Sequence, residues 1–154
     1  MFAPELIASA EALLNACRSR NLKITAAESC TGGLVTGILT EIPGASEAFD
    51  RGFVTYSNAA KSEMLGVPAP VIARHGAVSA AVALAMVEGA LKHAPADVAV
   101  AITGIAGPDG GTIQKPVGLV YICLLYTSDA ADDLLCLDLG GRRIFKKKKH
   151  HKTT

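Results

Sequence analysis

The stretch Thr25-Ala26-Ala27-Glu28-Ser29-Cys30-Thr31-Gly32-Gly33 runs from a short apolar segment through small polar residues into a glycine pair. A helix-like stretch follows. The turn therefore aims backbone N–H groups, and the positive end of a helix dipole, at whatever lies in front of it. A hydroxyl at Ser29 or Thr31 is of the type that attacks a carbonyl carbon, and N–H groups beside it would stabilise the resulting oxyanion. Ser and Thr are also favoured helix caps whether or not chemistry follows. On this stretch alone the cap is the plainer role.

Two later segments change the weighing. Tyr56-Ser57-Asn58-Ala59-Ala60-Lys61 leads from a strand end into a helix, with Asn58 as the expected cap and Lys61 in the first turn. The helix dipole disfavours a cation there and would lower the lysine pKa, as a general base working near neutral pH needs. A solvated surface lysine is the commoner fate of such a residue. Thr103-Gly104-Ile105-Ala106-Gly107-Pro108-Asp109-Gly110-Gly111 follows the most apolar strand. Ligands of open α/β sheets sit beyond strand carboxyl ends, and glycines let backbone approach them closely. The segment lacks the lysine and spacing of a P-loop, and a plain long turn is its simple alternative. Asp109 and His75 are as readily turn or packing residues.

These residues need strands and helices to hold them. Apolar positions at Leu6, Ile7, Ala10, Leu13, Leu14 and Cys17 predict a helix over 4–19, with Pro4 at its start. Residues 22–27, 52–56 and 98–102 read as strands, the last buried on both faces, and a further strand begins at 118–122. Helices are expected over 32–40, 58–65 and 79–93, the last capped by Ser79, with Gly66 and Pro68 ending the second. Residues 104–116 form a loop. Strands alternating with helices predict one layered α/β domain on a mostly parallel or mixed sheet, without internal repeat or linker.

The 154 residues suffice for one domain, and 50% of them are apolar, enough for a core. No apolar run reaches the roughly 18–20 residues that span a bilayer, and the N-terminus lacks the pattern of a signal peptide. Cys17, Cys30, Cys123 and Cys136 show no C-x-x-C pair and no metal-ligand spacing, which favours free thiols in a reducing cytoplasm. A net charge of +1 carries no nucleic-acid footprint.

That average conceals a seam. Residues 1–122 hold 8 Lys+Arg against 10 Asp+Glu, whereas residues 123–154 hold 7 against 4 and end in a run of lysines and histidines. A basic tail for membrane or nucleic acid is one explanation. A more economical one is that Cys123 to Asp132 reproduces the translation of a transposase adapter used in DNA library preparation. Leu139-Gly140-Gly141-Arg142-Arg143-Ile144 and the lysines after it look like read-through of the remaining adapter. Residues 1–122 are then the domain, and 123–154 a non-native tail expected to form no defined element on the sheet and to be removable without loss of stability.

Five motifs stand in order along the body: Ala27-Glu28-Ser29-Cys30-Thr31-Gly32-Gly33; Gly52-Phe53-Val54-Thr55-Tyr56-Ser57-Asn58 with Ala60-Lys61; His75-Gly76-Ala77-Val78-Ser79; Gly104 to Gly111; and Lys115-Pro116-Val117-Gly118. In these, residues 5–122 resemble the CinA C-terminal domain family, whose enzymes are nicotinamide-nucleotide amidohydrolases. The resemblance implies deamidation of nicotinamide mononucleotide to nicotinic acid mononucleotide and ammonia. It makes Ser29 the nucleophile and Lys61 its base, with Tyr56 and Thr103 assisting. Cys30 is a rival nucleophile by chemistry, but the family pattern favours Ser29. Cys30, Thr31, Gly32 and Gly33 would hold the oxyanion through their N–H groups, and Gly104 and Gly107 would line the pocket. Glu28, by position alone, would orient Lys61 or a ribose hydroxyl. No cofactor and no metal are implied. The partner is a small-molecule nucleotide, with neither nucleic acid nor membrane, and the intact family member is expected to be a homo-oligomer. The family's closing strand and helix, with a basic segment, have no counterpart after residue 122, and no role passes to Arg142 or Arg143. A non-catalytic nucleotide-binding regulatory module, or an inactive fragment, is the alternative reading.

Overall fold

A computed structural model of the chain describes residues 1–127 with their side chains, and the backbone of 135–138 and 142–145. Helix α1 (Pro4–Ser19) leads into strand β1 (Ile24–Glu28), α2 (Leu34–Thr40), a 3-10 turn at Ala45–Glu47 and β2 (Phe49–Val54). Then follow α3 (Asn58–Leu65), α4 (Ala69–His75), α5 (Ala80–His93), β3 (Val98–Gly104), β4 (Val120–Tyr126), β5 (Leu135–Asp138) and β6 (Arg142–Phe145). The strands form one mixed sheet in the order β2-β1-β3-β4-β5-β6. β1 is parallel to both β2 and β3, and the remaining pairs are antiparallel. The expected α/β layered domain is therefore present, with five helices on a mixed sheet.

Alternation along the strands divides the core between two faces. Ala27, Ala99, Ala101 and Cys123 point to one face, under Leu65, Ile72, Val82, Met86, Val87 and Ala90 of α3, α4 and α5. Ile24 and Val98 point to the other, with Leu14 and Cys17 of α1 and Leu39 of α2. Alanines on the sheet let α5 lie close. Gly89 of α5 meets α3 so tightly that an added Cβ would fall 2.0 Å from the Leu65 carbonyl oxygen.

Four sequence expectations shift. Ser57, not Asn58, caps α3, its hydroxyl accepting the Ala60 N–H at 3.0 Å. Helix α4 was not foreseen; its alternation of Pro68, Pro70 and small residues has no strong helical period, and Pro at the first turn starts it. β2 begins at Phe49 and ends at Val54, so Thr55 and Tyr56 leave the strand. The largest change is at the seam. β4 continues through it to Tyr126, pairing with β3 along its whole length, and Cys123 is fully buried. β5 and β6 then extend the sheet, so the expected absence of a further strand, and of any element formed by residues 123–154, is corrected. β5 and β6 pair in turn on the edge that β4 leaves open. Residues 128–134, 139–141 and 146–154, including the lysine run, lie outside the described residues.

Candidate active site

β1, β2 and β3 are parallel, so their carboxyl ends meet at one edge of the sheet, where α/β folds bind ligands. Ser29 directly follows β1 and is held by its own N–H, which donates to the Ile102 carbonyl at 2.9 Å. Lys61 stands in the first turn of α3, reached from the end of β2. Its Nζ lies 2.9 Å from Ser29 Oγ, 2.9 Å from the Thr55 carbonyl and 3.1 Å from the Tyr56 carbonyl. The side chain is only 1% exposed. Burial lowers its pKa, and the adjacent Cys30 opposes this slightly. Burial thus provides the shift that the helix dipole was expected to produce.

The two carbonyls set what the amine can do. A carbonyl oxygen only accepts hydrogen bonds. As an ammonium, Nζ donates to all three neighbours. After loss of a proton, its two N–H groups remain with Thr55 and Tyr56, and its lone pair faces Ser29 Oγ. The serine hydroxyl then donates to the amine. This is the geometry by which a base takes a proton from a hydroxyl.

In front of the pair is a cleft of about 300 Å³ lined by Ser29, Cys30, Tyr56, Lys61, Thr103, Gly104, Gly107 and Asp109, with Ala77 and Val78 as a further wall. Thr103 is buried, and its hydroxyl donates to the Ala77 carbonyl at 2.8 Å, so it anchors the wall. Lys115 ties the same wall to the glycine-rich loop by donating from Nζ to the His75 carbonyl at 2.7 Å. His75 itself does not line the cleft. The Tyr56 ring is exposed at the cleft edge, and the residue's contact with Lys61 is through its carbonyl. Gly104 leaves no room for a side chain, since a Cβ would lie 2.7 Å from the Leu119 carbonyl oxygen and 3.1 Å from Cys30 Sγ. Burial raises the Cys30 thiol pKa more than Lys61 and nearby N–H groups lower it, which keeps the sulfur protonated and weakly nucleophilic.

Four expected substrate-binding residues do not line this cleft, and their readings are corrected. Glu28 is fully buried, with its carboxylate turned under α2, where it accepts the N–H groups of Gly33, Val35 and Thr36 at 3.0, 3.1 and 2.7 Å. It therefore faces neither Lys61 nor the cleft. The Gly33 N–H is taken by that carboxylate, and the Gly32 N–H by the Ser29 carbonyl at 3.1 Å. Thr31 offers its carbonyl to Leu34. The glycines serve conformation instead: Gly32 and Gly33 have φ of +56° and +101°, which turn the chain sharply from Ser29 into α2. Sequence reading missed Thr55 and Ala77 because both act through backbone carbonyls, which carry no side-chain signal. Among the described residues no group of three or more His, Cys, Asp or Glu is placed to hold a metal ion.

Fold and site together define an α/β domain with a buried Ser–Lys pair at the meeting point of three parallel strands. The chain belongs to the CinA C-terminal domain family, whose sequence profile matches residues 7–152. It is 54% identical over 117 residues to the Escherichia coli protein named nicotinamide-nucleotide amidohydrolase PncC, covering 76% of this chain and 71% of that one. It is 50% identical over 128 residues to a CinA-like protein of Akkermansia muciniphila, covering 83% of this chain and 31% of the relative. A match in Caldicellulosiruptor bescii is likewise covered over 27% of its length, so the chain spans about a quarter to a third of several relatives. The crystal structure of the competence/damage inducible protein CihA from Agrobacterium tumefaciens superposes with a TM-score of 0.85 at 44% identity, covering 90% of this chain and 82% of that one.

Proposed function

We propose that the chain hydrolyses the carboxamide of nicotinamide mononucleotide, giving nicotinic acid mononucleotide and ammonia in cytoplasmic pyridine-nucleotide salvage. The observation that carries this reading is the 2.9 Å contact between buried Lys61 and Ser29, with two carbonyls aiming the amine. The relative named as an amidohydrolase of this substrate supports the choice of amide.

Neutral Lys61 takes the Ser29 proton as Oγ bonds to the carboxamide carbon. The oxyanion lies at the Cys30 N–H, on the cleft wall, because those of Ser29, Gly32, Gly33, Val35 and Thr36 are already engaged. Collapse breaks the C–N bond, and Lys61 returns its proton so that ammonia leaves. Water then enters, gives a proton to Lys61 and attacks the acyl-serine. Breakdown releases the carboxylate and restores the Ser29 hydroxyl. Thr103 holds the Ala77–Val78 wall through this cycle, and the glycines at 104 and 107 admit the substrate ring close to the backbone.

The test is ammonia release from nicotinamide mononucleotide by the purified full chain. Turnover supports the reading, and its absence with a folded protein that still binds the nucleotide establishes the regulatory-module alternative. That second reading draws on the relatives in which this domain is a minor part of a longer chain.

A further inference from the structure

Glu28 is the residue the proposed chemistry leaves without a part, yet it is among the most completely enclosed polar groups of the described residues. Burying a carboxylate is unfavourable unless the charge is compensated. Here three N–H groups compensate it, all from the start of α2. Burial alone would raise the Glu28 pKa, but the accepted hydrogen bonds outweigh it and hold the carboxyl below the usual range. Gly33, the residue before α2, has a left-handed φ and no side chain, so the helix has no cap of its own. The capping group comes instead from the end of β1, five residues earlier.

The backbone of the same residue reaches the other half of the site. The Glu28 carbonyl accepts the Thr55 N–H at 2.8 Å, and the Thr55 carbonyl in turn accepts from Lys61 Nζ. Glu28 is followed at once by Ser29. One residue therefore touches the helix after the nucleophile, the segment that aims the base, and the nucleophile's own backbone.

We infer that Glu28 is a positioning residue: its buried carboxylate clamps the start of α2 and so fixes the Ser29–Gly33 turn, keeping Ser29 Oγ on Lys61 and Cys30 at the cleft wall. The inference rests on the proposed Ser–Lys chemistry. It accounts for a carboxylate one residue from the nucleophile that is turned away from Lys61 and under α2. It also explains why α2 begins only at Leu34: the chain must first wrap round the carboxylate.

The test uses the full chain and the isosteric variant Glu28→Gln, whose amide nitrogen cannot accept the N–H groups the carboxylate receives. Two rates are measured per folded molecule: turnover of nicotinamide mononucleotide, and covalent labelling of Ser29 by a fluorophosphonate probe. Both should fall on the order of 10- to 100-fold, as displacement of a reacting group by a fraction of an ångström does. KM should stay within about twofold, because no substrate contact is lost. The acid limb of the pH–rate profile should not move, since Lys61 remains buried. Leu14→Ala, in the core on the far face of the sheet, controls for lost stability and should lower Tm while Ser29 labelling stays at the wild-type rate. If Glu28→Gln does not fold, Glu28→Asp is read in its place, with the same split expected. Wild-type labelling with a raised KM would return Glu28 to substrate binding and overturn the inference. Losses that follow Tm alone, as in Leu14→Ala, would overturn it too. A wild type that labels at Ser29 but releases no ammonia refutes the amidase reading while leaving the labelling comparison intact.

Discussion

Ser29 and Cys30 are neighbours on one turn and both line the cleft, so the choice of nucleophile rests on what surrounds each atom. Ser29 Oγ has the lysine amine at 2.9 Å, whereas burial raises the Cys30 thiol pKa. Ser29→Ala is expected to abolish ammonia release and Cys30→Ala to retain most of it, measured on purified variants; the opposite pattern would transfer the role to the thiol. Lys61→Arg keeps a cation but cannot give up its proton, so the rate should drop about 10²- to 10⁴-fold, as for loss of a general base. A near-wild-type Lys61→Arg enzyme would mean that charge alone suffices. The pH dependence follows from the same burial. As the proposed base Lys61 must be neutral, and its pKa is lowered from 10.5, so kcat/KM should rise with pH through that lowered value. Stability should rise with pH over the same window, because there the unfolded lysine binds the proton that the folded one has released. An acid limb at 10.5 or above would remove Lys61 from the role of base.

At the scale of elements, the join between β1 and α2 and the contact between α3 and α5 matter most. The Glu28 pKa is lowered on folding, so its clamp contributes stability that is fully present above the ordinary glutamate value of about 4.3 and lost as pH falls through the folded value. Thermal melts of wild type and Glu28→Gln should therefore converge as the solution is acidified below that range. Curves that stay parallel would show that the carboxylate is not what α2 depends on. Gly89 offers a second check. Alanine is the better helix former by about 1 kcal/mol. Its Cβ would nevertheless sit 2.0 Å from the Leu65 carbonyl oxygen and 2.9 Å from Leu65 Cβ, which forces α3 away from α5. Gly89→Ala should lower Tm despite the propensity gain. It should also lower kcat, because α3 carries Lys61. A stabilised variant would show that the two helices can part freely.

For the whole molecule, the seam is a matter of core rather than of charge. Cutting the chain after residue 122 removes Cys123 from beneath α5 and strips half the ladder from β3, since β4 pairs with it as far as Tyr126. Removing residues 123–154 as a block is therefore expected to cost stability, contrary to the sequence expectation. A chain of residues 1–122 should show no cooperative melt by circular dichroism, whereas 1–127 should still melt cooperatively, with Thr127 closing the sheet through Asp97. Equal melts for both would make β4 beyond Ile122 a passive edge. The nucleotide origin of the tail is a separate proposal. The ten residues from Cys123 match a translated adapter, and genomic sequence that runs through codon 154 without it would dismiss that origin. Either origin is compatible with the strand, because an apolar segment beside an open sheet edge pairs whatever its history.

Periodicity and punctuation were enough to place α1, α3 and α5 and the strands at β1 and β3, because each buries one face and carries its own pattern of apolar residues. The candidate nucleophile and base were legible for a related reason: a serine before Gly32-Gly33 and a lysine at a helix start are local anomalies. Other features depended on residues far apart in sequence. Lys61 lies 32 residues from Ser29, and only the parallel pairing of β1 with β2 sets their atoms 2.9 Å apart. The carbonyls of Thr55, Tyr56 and Ala77 act through backbone that every residue possesses, so no residue type announces them. Glu28 was visible as a carboxylate beside the nucleophile, but which way it turned was decided by the unsatisfied N–H groups of α2. The end of the last sequence-read strand was decided in the same way, by β3, whose hydrogen-bonding groups extend past the point where composition changes.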